Sequence, residues 1–490
     1  MRFLSDNKVH LSFWIVFLLI QSLLWFNFYQ QNISLNADGV ITLSIFFTAI
    51  WLWVFSKVDD TYIALLAVIS LVFMGVIDEA IIYQSLGQDL IWLLIAAFIL
   101  TAGLTQSGLT AKFAGRIVQF AHTPRQLFYY SSTLLILSAF VIPATSGRAA
   151  FSLPIFLGLA LVLKNYPRLV IGLGLLFPSV ILLSAVGSYL GAGAHLITNQ
   201  ILAQANHATF SFLQWFLFGF PFAVVSSLLC TELILRVFTT QEDRNIKINI
   251  LPQAIHDSSK ALSHTHSNQQ ENQQNNQQRN CLLIFGFVLI LWFTETWHGI
   301  STALVALFGA LLMTMPRVGV VKFSAAIKTV PWSLLLFMAA TLGMGVALIQ
   351  TQAMEWVSGH VFNHLDKNSA YLSVTFIVII ILISLLSHLF IQSRSARSAV
   401  LIPIVIASAS EFGVSPSTTA FISTAAAGFC HTLTSSAKPL AMFNKVDGIT
   451  IFSPQDLLKL SMYLAPLLFV LLCIFSFVVW PFMGLEILED

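Results

Sequence analysis

Long apolar runs separated by short polar loops follow one another along the chain. The first extends from about His10 to Tyr29, and others lie near Val40–Phe55, Tyr62–Ile77 and Leu90–Gly108. A run of about 20 apolar residues is long enough for a helix to cross a bilayer. The first run is too long for a signal peptide and lacks a small-residue cleavage site, which favours a retained span. The pattern predicts an all-α polytopic membrane protein.

Polar residues interrupt the apolar pattern in each half of the chain. The interrupted segments are Leu127–Leu163 and Ala370–Ala409. The remaining spans lie near Leu169–Leu202, Phe212–Phe238, Cys281–Thr294, Ser301–Met315, Trp332–Gln350, Thr418–Phe443 and Leu457–Trp480. The stretch DLIWLLIAAFILTAGL in the first half resembles VPWSLLLFMAATLGMGVAL in the second. An internal repeat of this kind is typical of secondary transporters.

The segment between the two halves has a different composition. Residues 239–280 contain HSNQQENQQNNQQRN, a tract too polar to bury a core. We interpret it as a flexible linker, and its His256, His264 and His266 as incidental rather than metal-binding. The predicted organisation is an N-terminal span and loop (1–38), a first repeat (39–238), the linker (239–280) and a second repeat (281–490).

The composition excludes an ordinary soluble protein. The chain is 57% hydrophobic and 9% charged, whereas a soluble domain has about 25% charged residues. The net charge of +2 comes from residues in short loops and gives no reason to expect nucleic-acid binding. The four cysteines are scattered without paired spacing, so neither a disulfide framework nor a zinc site is indicated.

Lysine and arginine in short loops prefer the cytoplasmic side of a membrane. Two loops that contain neither residue, Asp78–Asp89 and Ala203–Ser211, are assigned to the outside. The cytoplasmic group consists of Arg2, Lys8, Lys57, Lys112, Arg116, Arg125, Lys164, Arg168, Arg236, Arg244, Lys247, Arg317, Lys322 and Lys328. This assignment predicts a cytoplasmic amino terminus and linker and an external carboxyl terminus, in a bacterial inner membrane.

The predicted sidedness of the loops agrees with the number of spans only if each interrupted segment enters and leaves the membrane on the same side. The first is therefore predicted to be a re-entrant hairpin from the cytoplasm with Thr145–Arg148 at its tip. The second enters from outside, with Ser393–Arg397 at its tip. Irregular backbone at this depth is tolerated where it lines a cavity or is buried in protein. The expected fold is an inverted repeat of about 11 transmembrane helices plus two re-entrant hairpins.

The two predicted tips carry similar sequences, ATSGRAAFSLPI and SRSARSAVLIPI. Burying Arg148, Arg394 and Arg397 near the bilayer centre would cost about 7–10 kcal/mol in total. A bound anion explains them, since guanidinium groups pair with carboxylate or sulfate oxygens. Ser146, Ser393 and Ser395 add hydroxyl groups. The alternative is that an arginine reaches the interface or pairs with a carboxylate such as Glu232 or Glu295.

A polar or glycine-rich break follows each hairpin, SAVGSYLGAGAHLI at Ser184–Ile197 and GFCHTLTSSAKPLAMF at Gly428–Phe443. Glycine clusters and a Lys-Pro pair unwind a helix and free backbone groups for a ligand. Close helix packing is the alternative for the glycines. His195, His431 and Lys438 lie in the breaks, and each histidine is either a packing residue or a proton carrier.

This order of hairpin, broken span and linker resembles the divalent anion:sodium symporter family. Its tip motif is Ser-Asn-Thr followed by a Pro-Ile, and its break resembles Gly-Thr-x-x-Asn. Here Ala144–Ser146 and Ser393–Ser395 stand at the tips, with Pro154–Ile155 and Pro403–Ile404 behind them and Gly191–His195 at the first break. The resemblance implies an eleven-span homodimer with a scaffold and a mobile transport part.

The tip asparagines of that family are replaced here by Thr145 and Arg394, and the break asparagines by His195 and Leu440. In the family those asparagines help to build sodium and substrate sites, so an arginine at this place argues against sodium coupling. The expected substrate-binding residues are Thr145, Ser146, Arg148, Gly191, His195, Ser393, Arg394, Ser395, Arg397 and Lys438. Any sodium site is expected near Thr145, Ser146 and Gly191.

These features favour a secondary active transporter of small divalent oxyanions that works by elevator-type alternating access. Di- or tricarboxylates are the first expectation and sulfate-like anions the second, with exchange, proton and sodium coupling expected in that order. A cation/proton antiporter is the alternative, but it needs an acidic residue at mid-membrane, and neither tip has one. Enzyme motifs such as HExxH or Gly-x-Ser-x-Gly are absent. The expected partners are the anion, membrane lipid and a second copy of the chain, without a cofactor.

Overall fold

The computed structural model describes residues 7–30, 35–109, 120–248, 268–362, 371–446 and 449–488. The first half contains helices α1 (Asn7–Tyr29), α2 (Ala37–Phe55), α3 (Asp60–Phe73), α4 (Ala80–Leu86), α5 (Asp89–Gln106), α6 (Pro124–Ser138), α7 (Thr145–Val162), α8 (Pro167–Leu183), α9 (Gly193–Gln204) and α10 (Phe212–Phe238). The second half contains α11 (Asn268–Phe293), α12 (Thr302–Thr314), α13 (Trp332–Gln350), α14 (Ala353–Phe362), α15 (Leu372–Leu386), α16 (Arg394–Ala409), α17 (Pro416–Ala426), α18 (Lys438–Asn444) and α19 (Pro454–Ile474). Two short antiparallel strands, β1 (Lys445–Val446) and β2 (Ile449–Thr450), follow α18.

The prediction of an all-α polytopic membrane protein is confirmed. Within the described residues, nine helices are long and apolar enough to cross a membrane, and three shorter apolar helices accompany them. The total number of crossings and the re-entrant nature of the hairpins stay predictions. Both interrupted segments are nevertheless pairs of helices joined at the predicted tips, α6 with α7 and α15 with α16.

The two halves share local geometry as well as element order. In each half a helix pair is followed by a broken helix, α8 with α9 and α17 with α18. The residue before each second segment has nearly the same backbone, since Ala192 has φ −154° and ψ 149° and Ala437 has φ −156° and ψ 141°. An asparagine near the end of each segment binds the following loop: Asn199 donates to the Phe210 carbonyl, and Asn444 to that of Phe452. These matches support the internal repeat.

The expectation of an irregular linker is wrong for residues 268–280, which form the start of α11. This part of the tract is held against the scaffold helices. Gln278 donates to the Ser107 carbonyl just after α5, and Asn280 donates to the Val318 carbonyl. The three linker histidines, together with Lys112 and Arg116, lie outside the described residues.

Loops that carry lysine or arginine gather at one end of the molecule. Arg168 lies 3.9 Å from the Asp243 carboxylate, and the Ile248 amide donates to the His122 carbonyl. At the other end of α10, Ser417 donates to the Ala208 carbonyl. The carboxyl-terminal residues also lie at that second end, because the Ser415 amide donates to the carbonyl of Ile487. The grouping agrees with the predicted sidedness, although the orientation in a membrane stays a prediction.

Candidate functional site

The site is built where both hairpin tips meet the break between α8 and α9. At the first tip, Ala144 adopts φ 63° and ψ 141°, an unfavourable conformation for a residue with a Cβ. Its amide donates to the Leu190 carbonyl inside the break. The second tip reaches the same break, because a Cβ on Gly193 would lie 3.1 Å from the Ser395 hydroxyl.

Several helices therefore begin around one point, and their first amides point away from their own helices. Neither α7 nor α9 has a side chain that caps these amides, because alanines precede both helices. At the start of α16, Ser393 accepts a hydrogen bond from the Ala396 amide. Uncapped amides and the positive end of the helix dipole favour an anion. These amides thus add positive potential locally, next to the tips.

Arg148, one turn below the first tip, is completely buried, and most of its donors are used by the protein. Its guanidinium donates to the Ser138 hydroxyl (3.0 Å), the Ile181 carbonyl (2.9 Å), the Leu135 carbonyl and the Ser184 hydroxyl (2.6 Å). These acceptors belong to the carboxyl ends of α6 and α8 and to the residue after α8. Four of its five N–H donors are engaged, so Arg148 joins two helix ends rather than facing open space.

Arg394 approaches the same helix end from the second tip. Its Nη1 donates to the Leu182 carbonyl at 3.3 Å, and its Nη2 contacts His195 Nε2 at 3.2 Å. A glycine makes room for the guanidinium, since a Cβ on Gly428 would lie 2.9 Å from Nη2. Arg148 and Arg394 thus donate hydrogen bonds to neighbouring carbonyls at the negative end of α8.

His195 is held as a neutral acceptor. Its Nδ1 lies 3.0 Å from the Ser188 carbonyl, so Nδ1 carries the proton and donates. Nε2 is then free to accept from Arg394. The imidazole is buried and packs on Trp215, with 5.0 Å between the ring centroids. The geometry gives His195 the role of positioning Arg394.

Arg397 has fewer partners than Arg148, its counterpart in the repeat. It is completely buried and donates through Nη1 to the Phe429 carbonyl at 3.0 Å, beyond the end of α17. Its Nε and Nη2 have no hydrogen-bond partner among the described residues. Ser184 directly follows α8 and Phe429 is the third residue after α17, so the arginines of both tips bind near the ends of half-helices.

None of these three arginines is paired with a carboxylate among the residues the structure describes. The ion pairs found there are Arg125–Glu232, Arg236–Glu232 and Arg168–Asp243. The predicted alternative partners are engaged elsewhere, because Glu295 accepts from the Thr302 amide. The described residues also contain no cluster of His, Cys, Asp or Glu suited to a metal ion.

Residues 10–485 match the sequence profile of the family described as the sodium:sulfate symporter transmembrane region. The chain belongs to this family. An Escherichia coli K12 member named citrate/succinate antiporter is 23% identical over 331 residues, or 65% of this chain and 63% of that protein. A Cupriavidus necator membrane protein is 24% identical over 319 residues, or 64% of this chain and 60% of that protein. The chain therefore spans about three-fifths of the length of these relatives.

The crystal structure of the YdaH transporter of Alcanivorax borkumensis has the same fold. It superposes with a TM-score of 0.52 at 14% identity, over 80% of this chain and 85% of that one. The predicted family resemblance is thus confirmed. The family, the Escherichia coli relative and the Alcanivorax borkumensis protein are named as transporters, not as enzymes.

Three other predicted site residues of this symporter-family chain lie at the tips, and Lys438, outside them, makes no hydrogen bond to either tip among the described residues. Thr145, Ser146 and Ser395 are half-buried, and Lys438 is exposed at the start of α18. Gly191 is buried inside the break, where a Cβ would lie 2.0 Å from the Ala185 carbonyl oxygen, so the tight fold of the chain requires glycine.

Sequence reasoning missed Ser138, and it did not predict that Ser184 and Gly428, the first residues of the two predicted breaks, help to place the arginines. These roles leave no local signal, since each residue acts on an arginine from another helix.

Proposed function

We propose that this symporter-family chain is a secondary transporter that exchanges small di- or tricarboxylate anions across the membrane without sodium. The observation that carries the proposal is the position of Arg148 and Arg394 on the Ile181 and Leu182 carbonyls. A relative named citrate/succinate antiporter supports both the substrate class and exchange. Sulfate-like anions are the second substrate class.

The arginines explain why sodium is not needed. In transporters with broken helices, unwound carbonyls and half-helix carboxyl ends are the groups that coordinate sodium. Here guanidinium groups donate to such carbonyls instead. A second cation 4 Å away would be repelled by about 4 kcal/mol at an effective dielectric of 20. That corresponds to about a thousandfold loss of cation affinity.

The same charges favour exchange over one-way transport. Without an anion, the moving part carries three guanidinium groups, two of them completely buried and one half-buried, that have no acidic partner among the described residues. Each such charge is costly at mid-membrane, by about 2.5–3.5 kcal/mol. A bound carboxylate compensates for this charge, so the loaded carrier crosses readily and the empty carrier does not. Return of the carrier therefore requires a second anion.

We further propose an elevator-type movement of the hairpins and broken helices against the scaffold. Gly193, at the start of α9, packs beside Leu334 and Met338 near the start of α13. Further along, Gln204 of α9 contacts the Leu342 carbonyl of α13. The α9–α13 contact is the surface along which we expect sliding. As in the family, we propose a homodimer, in the bacterial inner membrane.

The test is uptake of radiolabelled citrate, succinate and sulfate into proteoliposomes that contain or lack internal anion. Choline or potassium replaces sodium on both sides. The proposal expects carboxylate uptake that depends on internal carboxylate and is unchanged without sodium. Uptake that requires sodium and ignores internal anion would contradict it. Liposomes prepared without the protein serve as the control for leakage.

A further inference from the structure

We infer that the site is matched in charge to a trivalent anion, and that Arg394 sets the preference for three carboxylates over two. The inference rests on the proposed function and extends it to the valence of the substrate. It depends on two completely buried arginines and one half-buried arginine, on the absence of an acidic partner for them in the described part of the chain, and on the different bonding of each arginine.

The formal charges at the site sum to +3. Arg148, Arg394 and Arg397 each contribute one, and no carboxylate among the described residues pairs with them. His195 adds none, because its Nε2 accepts from Arg394 and its Nδ1 faces a carbonyl. Lys438 is exposed, so its charge is screened by water and salt.

Helix dipoles do not change this sum. Each helix end carries about half a charge, positive at the amino end and negative at the carboxyl end. The two helix pairs and two broken helices bring equal numbers of both ends to the site. Three helices begin at buried or half-buried residues, Thr145, Gly193 and Arg394, and three end at such residues, Ser138, Leu183 and Ala426, whereas the helix ends at Lys438 and Leu386 are exposed and screened. Their contributions cancel, which leaves the three guanidinium charges.

A dicarboxylate therefore leaves one positive charge uncompensated in the loaded site, whereas a tricarboxylate leaves none. Uncompensated charge is unfavourable both for binding in a desolvated site and for crossing the membrane. The described structure thus favours an anion with three ionised carboxyl groups. Sulfate, with two charges, falls in the less favoured class.

Arg394 is the arginine whose charge can be removed with least damage to the fold. Arg148 holds two helix ends together through four hydrogen bonds, and Arg397 is completely buried. Arg394 is half-buried at the tip, and its two contacts are long, at 3.3 and 3.2 Å. It also borders a cavity of about 10 Å³, which has room for about one water molecule. A glutamine at this position removes the charge and keeps a polar group.

The experiment uses propane-1,2,3-tricarboxylate and glutarate, which share a carbon chain and differ by one carboxylate. Their half-saturating concentrations are measured by thermal stabilisation of the purified full-length protein and by competition in exchange, at a pH where every carboxyl is ionised. The wild type should bind the tricarboxylate about tenfold more tightly or better. In Arg394→Gln this ratio should fall by a factor of about ten or more.

Two variants separate charge from fold. Arg394→Lys keeps the charge and should keep most of the wild-type preference. Arg125→Gln removes an exposed arginine paired with Glu232 and should leave the ratio unchanged. If Arg394→Gln does not fold, the comparison of tricarboxylate and glutarate binding in the wild type still tests the valence preference.

Glutarate binding as tightly as the tricarboxylate in the wild type would overturn the inference. A ratio that Arg394→Gln leaves unchanged would overturn the role of Arg394. Exchange of sulfate with neither carboxylate bound would instead refute the proposed carboxylate function, and the inference with it. Exchange of dicarboxylates alone refutes the valence argument but leaves the proposed function intact.

Discussion

Arg148 of the first hairpin and Arg394 of the second donate to adjacent carbonyls, those of Ile181 at 2.9 Å and Leu182 at 3.3 Å. Two residues separated by half of the chain thus meet on one turn of α8. The two guanidinium groups neutralise the negative end of that half-helix, and they bring both tips to the same break. Side chains at both tips should therefore respond to the same bound anion.

Cysteines at Ser146 and Ser395 should both be labelled by a water-soluble thiol reagent, because both positions are half-buried. A transported carboxylate should slow both reactions by occupying the space between the tips. Labelling is measured by mass spectrometry in a variant without the native cysteines. Ser179→Cys, at a fully buried position of α8, is the control and should stay unlabelled. Protection at one tip alone would contradict a shared site.

Arg148→Gln should lower stability more than Arg397→Gln does. The first change strands the Leu135 and Ile181 carbonyls and two hydroxyls, whereas the second strands the Phe429 carbonyl. An unpaired buried acceptor costs about 1–3 kcal/mol. We expect Arg148→Gln to be less stable than Arg397→Gln by about 2 kcal/mol, measured by thermal unfolding in detergent.

The exchange activities of Arg148→Gln and Arg397→Gln should be interpreted together with their stabilities. Arg397 has two buried N–H groups without partners in the described residues, so it is the better candidate for contact with the anion or with ordered water. Arg397→Gln should therefore abolish exchange in a protein that still folds and inserts. Equal instability of both variants would show that Arg397 is also structural, contrary to this expectation.

Much of the helical framework was predictable from the apolar pattern. The predicted spans Phe212–Phe238 and Trp332–Gln350 coincide with α10 and α13. Long apolar runs with clear polar ends fix such helices, as a buried backbone must satisfy its own hydrogen bonds. The short α4 and α14 were missed, since a helix of seven or ten residues beside a loop leaves a weak periodic signal. The helical start of α11 was missed because its polar composition resembles a disordered segment.

The site was predictable as a set of positions but not as a set of contacts. Duplication of the tip sequence identified all three arginines without any structure. It did not indicate that Arg148 would be saturated while Arg397 keeps unpaired donors, because this difference comes from Ser138 and Ser184 on other helices. Side-chain direction depends on such tertiary contacts, and a single sequence does not record them.

His195→Phe and His195→Gln should have different effects on exchange. Phenylalanine keeps the packing on Trp215 but removes the acceptor for Arg394, whereas glutamine keeps an acceptor and loses the ring. A hydrogen bond to a charged group is worth about 1.5–3 kcal/mol. We expect His195→Phe to reduce exchange by at least about tenfold, and His195→Gln to retain more of it. If His195→Phe is the more active variant, packing rather than positioning explains this histidine.

The last prediction concerns the strained residue at the first tip. Ala144 has φ 63° and ψ 141°, a conformation that costs a residue with a Cβ about 1–3 kcal/mol. Glycine adopts such angles without this penalty. Ala144→Gly should therefore raise stability by about 1 kcal/mol, seen as an increase in the thermal midpoint. The gain has a functional cost, because a glycine tip explores more conformations and must be ordered when the anion binds.

Ala144→Gly should accordingly need a several-fold higher anion concentration for half-maximal exchange. Ala149→Gly is the matched control, since Ala149 is completely buried within α7 and has ordinary helical surroundings. Glycine there should lower stability by about 1 kcal/mol, because the helix loses a favourable residue. A gain in stability for Ala144→Gly together with a loss for Ala149→Gly would establish that the backbone at Ala144 is strained. Equal destabilisation would show instead that Ala144 is relaxed, and that the tip is oriented by its contact with Leu190 alone.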